Sequence, residues 1–223
     1  MSLVVEVSQV SDGSMYDRHD NSSQDVIDNR AHFLQRVGIS LDQSTRMGVG
    51  YGRDTYCDYV IVQRSLQGKG MRSSDAVIAD ALVTTDSGHA LFLPVADCVG
   101  AVIYDAIHHV LALAHLGRHS LEQHGGQKII EYLIANYASN PHDLQVWLTP
   151  AAGKENYPIW KLNNQGLKEA TFQQLAAAGV TADQVIDNEA DTTQDARYFS
   201  YSTFLQNNTL PDGDHAIVAM MTD

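Results

Sequence analysis

Cys98 and His115 are the two side chains whose types and placement could do chemistry together. Each closes a short apolar run, Cys98 after Val95-Ala96-Asp97 and His115 after the stretch from Val110 to Ala114. If these runs are paired strands, both side chains reach one edge of a sheet. A thiolate and an imidazole meeting there form a nucleophile with its general base, or two ligands of a tetrahedral zinc site with open positions. The spacing leaves both alternatives open, and a third: Cys98 as a small buried hydrophobe beside a packed or helix-capping His115, since free cysteine is commonly buried and inert. Asp97 is placed to orient His115 or a metal-bound water, or to form the turn. His119 and Ser120 begin the next helix, whose N-terminal amides then face the same edge and favour an anion.

The elements that must position these residues follow from the hydrophobic pattern. An N-terminal strand, LVVEV, leads into a polar, turn-rich segment over residues 11–24, expected to be an exposed loop. A helix near 25–37 follows, capped by Ser23 or Asp25, apolar at Val26, Phe33, Leu34 and Val37, and ended by Gly38. Gly48-Val49-Gly50-Tyr51-Gly52 lacks the spacing of a dinucleotide fingerprint and reads as a turn before a strand at Tyr59–Val62. Residues 76–115 read as successive buried strands, the last two a hairpin through Asp105 to His108. One helix over 120–138, a strand at Leu144–Leu148, a helix near 164–178 and a terminal strand at His215–Met221 complete the pattern. Strands alternate with helices without a linker or repeat, which predicts one α/β domain over residues 1–223, a layered sandwich of mixed β-sheet and helices.

Composition narrows the function. Of 223 residues, 44% are hydrophobic, enough for a sizeable core. Lys and Arg number 14 against 27 Asp and Glu, a net charge of −13, and no basic run could follow a phosphate backbone, so nucleic acid is not the expected partner. The absence of an apolar stretch of membrane-spanning length, and of a basic start and long apolar middle in MSLVVEVSQV, predicts no membrane association and a cytoplasmic location. Two cysteines, Cys57 and Cys98, cannot staple a fold of this size, which points them to catalysis or metal binding.

Asp80-Ala-Leu-Val-Thr84, Val95-Ala-Asp-Cys98 and His115-Leu-Gly117 resemble, in order and spacing, the "DALVT … TADC … HAGWRG" core of the laccase-domain family, also called multicopper polyphenol oxidoreductase or peptidoglycan editing factor (YfiH-type). Val26-Ile-Asp-Asn29-Arg30 is similar to its "V-x-x-N-R" helix, and Phe172-Gln-Gln-Leu175 through Gly179-Val180 to its "Q-L-x-x-x-G-V" helix. Thr192-Thr193 with Arg197-Tyr-Phe-Ser-Tyr201 resembles its "C-T … F-F-S-Y-R-R" stretch, so the similarity runs from about residue 25 to about residue 220. The resemblance implies an α/β fold of the kind shared with cysteine-hydrolase toxins of the CNF type. It also implies a zinc ion held by one Cys and two His, and activities of purine nucleoside phosphorolysis, adenosine deamination and methylthioadenosine cleavage. Laccase-type copper oxidation and editing of peptidoglycan precursors have also been attached to the family.

Carried over by residue, Cys98 takes the ligand Cys and His115 the His that opens "HAGWRG". Laying the family's "Q-V-H-G-x-x-V" on Asp54–Val60 puts Tyr56 where its other His stands, with Cys57 next to it as a substitute thiolate ligand; His89, His119 and His124 are the spare histidines. The family's Trp-Arg after "HAG" is here Arg118-His119, and its arginine pair after "F-S-Y" is Ser202-Thr203, which leaves Arg118 or Arg53, with His119, to bind an anionic substrate. These assignments predict a zinc-dependent transferase or hydrolase acting on a small molecule: a purine nucleoside with phosphate, or a peptidoglycan precursor. The alternatives are a metal-free Cys–His hydrolase or amidase and a non-catalytic family member. Copper is the weaker choice, one Cys–His pair being too few ligands for the several centres of a laccase.

Overall fold

Two mixed β-sheets stacked face to face, with helices on both outer faces, carry the chain in the computed structural model, which describes residues 2–222. In chain order the elements are β1 (Ser2–Val7), α1 (Gln24–Arg36), β2 (Ser44–Gly48), β3 (Tyr59–Ile61), β4 (Val77–Ile78), β5 (Ala81–Thr84), β6 (Ala90–Val95), β7 (Val99–Asp105), β8 (Val110–Leu116), α2 (Arg118–Glu122), α3 (Gly125–Tyr137), β9 (Leu144–Leu148), α4 (Leu167–Ala177), β10 (Val185–Asp187), α5 (Tyr201–Gln206) and β11 (His215–Thr222). One sheet has five strands in the order β1-β11-β6-β2-β4, the other six in the order β10-β9-β7-β8-β5-β3.

Alternation along each strand divides the core into layers. In β8, Val110, Ala112, Ala114 and Leu116 pack with Ile129, Ile130 and Leu133 of α3, while Leu111 and Leu113 turn to the facing sheet. In β6, Leu91, Leu93 and Val95 enter the inter-sheet layer, while Ala90 and Phe92 meet Phe33 and Leu34 of α1. Because both faces of these strands are covered, they read as unbroken apolar runs rather than alternating ones. The mixed α/β sandwich expected from the sequence is the architecture found.

The chain passes from the five-stranded to the six-stranded sheet three times, and two of these passages are short: Ala79-Asp80 between β4 and β5 and Ala96-Asp97-Cys98 between β6 and β7. The first corrects the single strand expected over residues 76–85. Asp80 breaks it, its carboxylate accepting from the Asp58 backbone N–H (2.9 Å) and pairing with Arg53 (2.8 Å). The helix expected over 120–138 is likewise two. His124 adopts a left-handed conformation (φ 62°). Gln174 of α4 bridges the break, donating to Leu121 O (2.8 Å) and accepting from Gly126 N (2.9 Å).

The polar segment 11–24 is not an open loop either. Arg30 of α1, fully buried, donates to Met15 O, Asn21 O, Asn21 Oδ1 and Met71 O, and folds the segment under itself with Met15 wholly enclosed. β2, β10 and α5 have no counterpart in the sequence reading. Ser23 occupies the N-cap of α1, but its side chain makes no capping bond.

His215 opens β11 with its ring fully buried, edge-to-face on Tyr198 at 5.4 Å, and neither ring nitrogen has a partner. Burial pushes it down to about 4, so it folds neutral. The unfolded chain binds this proton from about pH 6.5 downward and the folded chain only near 4, so stability falls as pH drops through that window. The full cost of protonation is about 3 kcal/mol by linkage. His215→Phe, keeping the aromatic contact, is expected to lose Tm less steeply than wild type between pH 6.5 and 4, by about one proton's worth. Parallel Tm-versus-pH curves for the two proteins would contradict this.

Candidate functional site

The β7–β8 register pairs Gly100 with His115 and Val99 with Leu116, which sets Cys98 across from Gly117 where the hairpin opens. Gly117 measures how closely the two side chains meet. A Cβ at residue 117 would lie 2.9 Å from Cys98 Sγ, 2.7 Å from His115 Cε1 and 3.2 Å from His115 Nε2. Thiol and imidazole thus flank one small volume that only a glycine leaves free. The Gly117 backbone is extended (φ −91°, ψ 178°), so the requirement is for space and not for a special conformation.

Both groups are neutral in the resting protein. Burial, with the charges of Asp97 and Asp214 behind it, pushes the Cys98 thiol up to about 12. Burial and then His119 push His115 down to about 4. The imidazole is a free base at neutral pH and the sulfur keeps its proton.

The pair lies on a cavity of about 560 Å³ whose walls include Tyr16, Tyr51, Tyr201, Arg18, Arg46 and Asp214. Arg18 stacks 4.0 Å over the Tyr201 ring and pairs with Asp212 (3.1 Å) and Asp214 (3.3 Å). Burial outweighs Arg18 at Asp214 and raises its carboxyl to about 6. An acid that holds its proton to about pH 6 and a base that stays neutral above about pH 4 therefore line one space, an environment-set division of roles.

The other residues singled out from the sequence are placed as follows. Asp97 stands beside Cys98 in a left-handed conformation (φ 71°). Its carboxylate does not reach for His115: Oδ1 accepts from Thr192 Oγ1 (2.8 Å), and Oδ2 from both the backbone N–H and the hydroxyl of Ser202 (2.7 Å each). Asp97 thus ties the start of α5 to the sheet crossing. Tyr56 stacks on His119 (4.6 Å, 19°), and its hydroxyl accepts from Gly52 N (3.0 Å). Cys57 Sγ lies 3.8 Å from Gln123 O, away from the cavity wall. Arg53 is neutralised by Asp58 (3.0 Å) and Asp80 (2.8 Å). Arg118 and His119 line a second hollow, of about 480 Å³, with Tyr157 and Trp160. His89 is buried against Thr45 (2.7 Å).

Tyr51, with Tyr16 and Tyr201, lines the cavity that holds Cys98 and His115, and Tyr56 does not. Arg46, Tyr16 and Asp214 were also missed; none carries a spacing signal of its own. Among the described residues no three of His, Cys, Asp or Glu gather to hold a metal ion. One thiol and one imidazole fall short of the three protein ligands of a catalytic zinc. The residues present do not fit the expected site, and Cys57 and Tyr56 are withdrawn as ligands.

A two-sheet sandwich with a Cys–His pair at a sheet crossing defines the class, and the sequence places the chain within it. Residues 8–164 match the family described as multi-copper polyphenol oxidoreductase laccase, to which this chain belongs. A Xylella fastidiosa protein named purine nucleoside phosphorylase is 32% identical over 81 residues, 36% of this chain and 30% of its own length. The match thus spans under a third of that relative. Solved structures share the fold: a Bacillus licheniformis hypothetical protein YfiH (TM-score 0.83, 19% identity, 99% of this chain and 93% of that one) and YlmD from Geobacillus stearothermophilus (0.81, 19%, 99% and 92%).

Gly117→Ala tests the shared volume directly. The backbone accepts alanine, but its methyl must push aside the imidazole or the thiol. We expect a fall in kcat/KM of at least about 100-fold, the size of effect that misplacement by about 1 Å produces, with a destabilisation of about 1–3 kcal/mol. Unchanged turnover would show that the two side chains need not meet there.

Proposed function

We propose that this chain processes purine nucleosides, with Cys98, His115 and Asp214 acting on a nucleoside held in the 560 Å³ cavity. The observation that carries the reading is the convergence of a neutral imidazole, a protonated thiol and a carboxyl raised to about 6 on one cavity. Its volume suits a small organic ligand, and three tyrosines on its walls offer flat surfaces for a base. Family membership and the Xylella relative's name support the same substrate class.

In phosphorolysis a phosphate oxygen bonds to ribose C1′, the C1′–N9 bond breaks, and its electron pair leaves with the purine. Asp214, protonated, supplies the proton that the departing base takes up at N7. His115 accepts the proton of the incoming monoanionic phosphate, which leaves the nucleophile doubly charged, and the Cys98 thiol donates a hydrogen bond beside it. Hydrolytic deamination would use the same base with water as the nucleophile and adenine C6 as the target. Zinc takes no part in these steps, since the donor set falls short of a zinc site. A cytoplasmic setting and small-molecule partners belong to the same proposal. Both cysteines are free thiols, and among the described residues no helix is long and apolar enough to cross a membrane.

The pair of side chains without a third ligand also raises the hydrolase reading, with Cys98 attacking an amide such as that of a peptidoglycan precursor. The magnitudes weigh against it: a thiol held near 12 is ionised at pH 7 to only about one part in 10⁵. The nucleoside reading asks the sulfur to keep its proton.

The test is chromatographic. Wild type is expected to convert inosine or adenosine plus phosphate to free base and ribose 1-phosphate, or adenosine to inosine in the deaminating arm. His115→Ala is expected to lose at least about 100-fold, the lower end of the loss typical of a general base. Asp214→Asn is expected to remove the decline of kcat/KM above about pH 6 that loss of the Asp214 proton produces in wild type. Wild type inert on both nucleosides but forming a covalent Cys98 adduct with amide or ester substrates would replace this reading with the hydrolase.

A further inference from the structure

The cavity wall holds two arginines, and they are not equivalent. Arg18 is spoken for, its guanidinium paired with Asp212 and Asp214 and stacked on Tyr201. Arg46 of β2 is 2% exposed and forms no ion pair among the described residues. Its Nε donates to Gly70 O (2.6 Å) and its Nη2 to Ser73 O (3.0 Å); its Nη1 has no acceptor among the described residues. Nη1 is not among the fully buried polar atoms left without a partner, so this N–H edge opens onto the cavity, where a guanidinium with no carboxylate beside it favours an anion.

The surroundings sharpen the point. Met47 turns into the inter-sheet core, so its neighbour Arg46 faces the α1 side, where Arg30 is buried too. The two cations sense each other: Arg30 is pushed down to about 9, by burial first and by Arg46 next. Arg30 is satisfied by four acceptors, all neutral, so no carboxylate compensates either charge. In a chain of net charge −13, the two buried arginines are left without a carboxylate partner among the described residues. The space beside Arg46 is continuous with that beside Cys98 and His115. Arg53 is engaged by Asp58 and Asp80, Arg118 opens on the other hollow, and Ser202-Thr203 stand where the family carries arginines.

We propose that Arg46 is the anion-binding residue of the cavity, its Nη1 edge holding a phosphate oxyanion while the rest of the ligand lies toward Cys98 and His115. The assignment rests on the nucleoside reading for what fills the rest of the space. The phosphate has two possible origins, the inorganic co-substrate of phosphorolysis or an ester on the nucleoside itself.

Binding measured without turnover separates this assignment from that reading. Calorimetric titration of the protein with inorganic phosphate, and in a second arm with a nucleoside 5′-monophosphate, is expected to give saturable binding that weakens at least 10-fold in Arg46→Met and less in Arg46→Lys. Tighter binding of inorganic phosphate in the presence of inosine, measured in His115→Ala so that no turnover intervenes, marks it as the co-substrate; tighter binding of the monophosphate than of phosphate plus nucleoside marks the ester. Arg46 also straps residues 70–73 to β2, so its loss could disturb folding. Hydrogen exchange on the wild type covers that case, with phosphate expected to protect peptides spanning 44–48 and 70–76. Equal anion affinity in wild type and Arg46→Met, or no protection of those peptides, overturns the assignment whatever the enzyme does to nucleosides.

Discussion

The close approach of Cys98 and His115 to Gly117, at the open end of the β7–β8 hairpin, is the constraint on which the site depends. Hairpin register is all or nothing, because a slip by one residue sends every side chain to the opposite face. Here the register is fixed by Ala112, Ala114 and Leu116 packing on the helical side and Leu111 and Leu113 on the other. A core of small and branched apolar residues therefore fixes where a sulfur and an imidazole meet. His115 is held a second time from β5's side, its backbone N–H donating to Asp80 O (2.8 Å).

The site also lies where one sheet gives way to the other, and that has an energetic consequence. A sheet crossing leaves backbone groups without ladder partners, and they must be satisfied some other way. Asp97 does this work with both ends of the residue: its carbonyl accepts from Ala152 N (2.8 Å) and its carboxylate clasps Thr192 and Ser202. Its left-handed backbone is tolerable for an aspartate and strained for most other residues. Asp97 thus supports the geometry at Cys98 by anchoring the chain around it, without touching the imidazole, so a residue adjacent to the reactive sulfur can be indispensable to its position and still take no direct part in chemistry.

Much of the fold was legible because burial writes itself into composition. β6, β7 and β8 are wholly buried and their sequences are unbroken apolar runs; α1 shows its stripe at Val26, Phe33 and Leu34. What escaped notice was local and polar. β2 reads Ser-Thr-Arg-Met-Gly, a poor strand by propensity, formed because it pairs with β6 and β4 and because Arg46 is strapped to the loop beyond it. α5 is six residues with Ser and Thr in its first turn, too short to show a period. The break between α2 and α3 falls in Glu122–Lys128, which has no apolar side chain and two glycines but lies between apolar positions at Leu121 and Ile129 that fit one helical face; it exists because Gln174, far along the chain, supplies the bonds that a continuous helix would have made for itself.

The distribution of charge completes the account. Burial keeps Cys98 protonated and His115 neutral, so this corner of the cavity carries no fixed charge. Charge enters the cavity at Arg18 and Arg46 instead. One of these is cancelled by Asp214 and Asp212, the other by nothing within the described residues. In a low-dielectric cavity an uncompensated cation sets the local potential, and the surface excess of carboxylates is screened within about 8–10 Å. An acidic protein can in this way present a positive interior to a small anion. The same neutrality makes the corner dependent on its ligand: with no resident charge to organise it, the geometry at Cys98 and His115 is held by packing around Gly117.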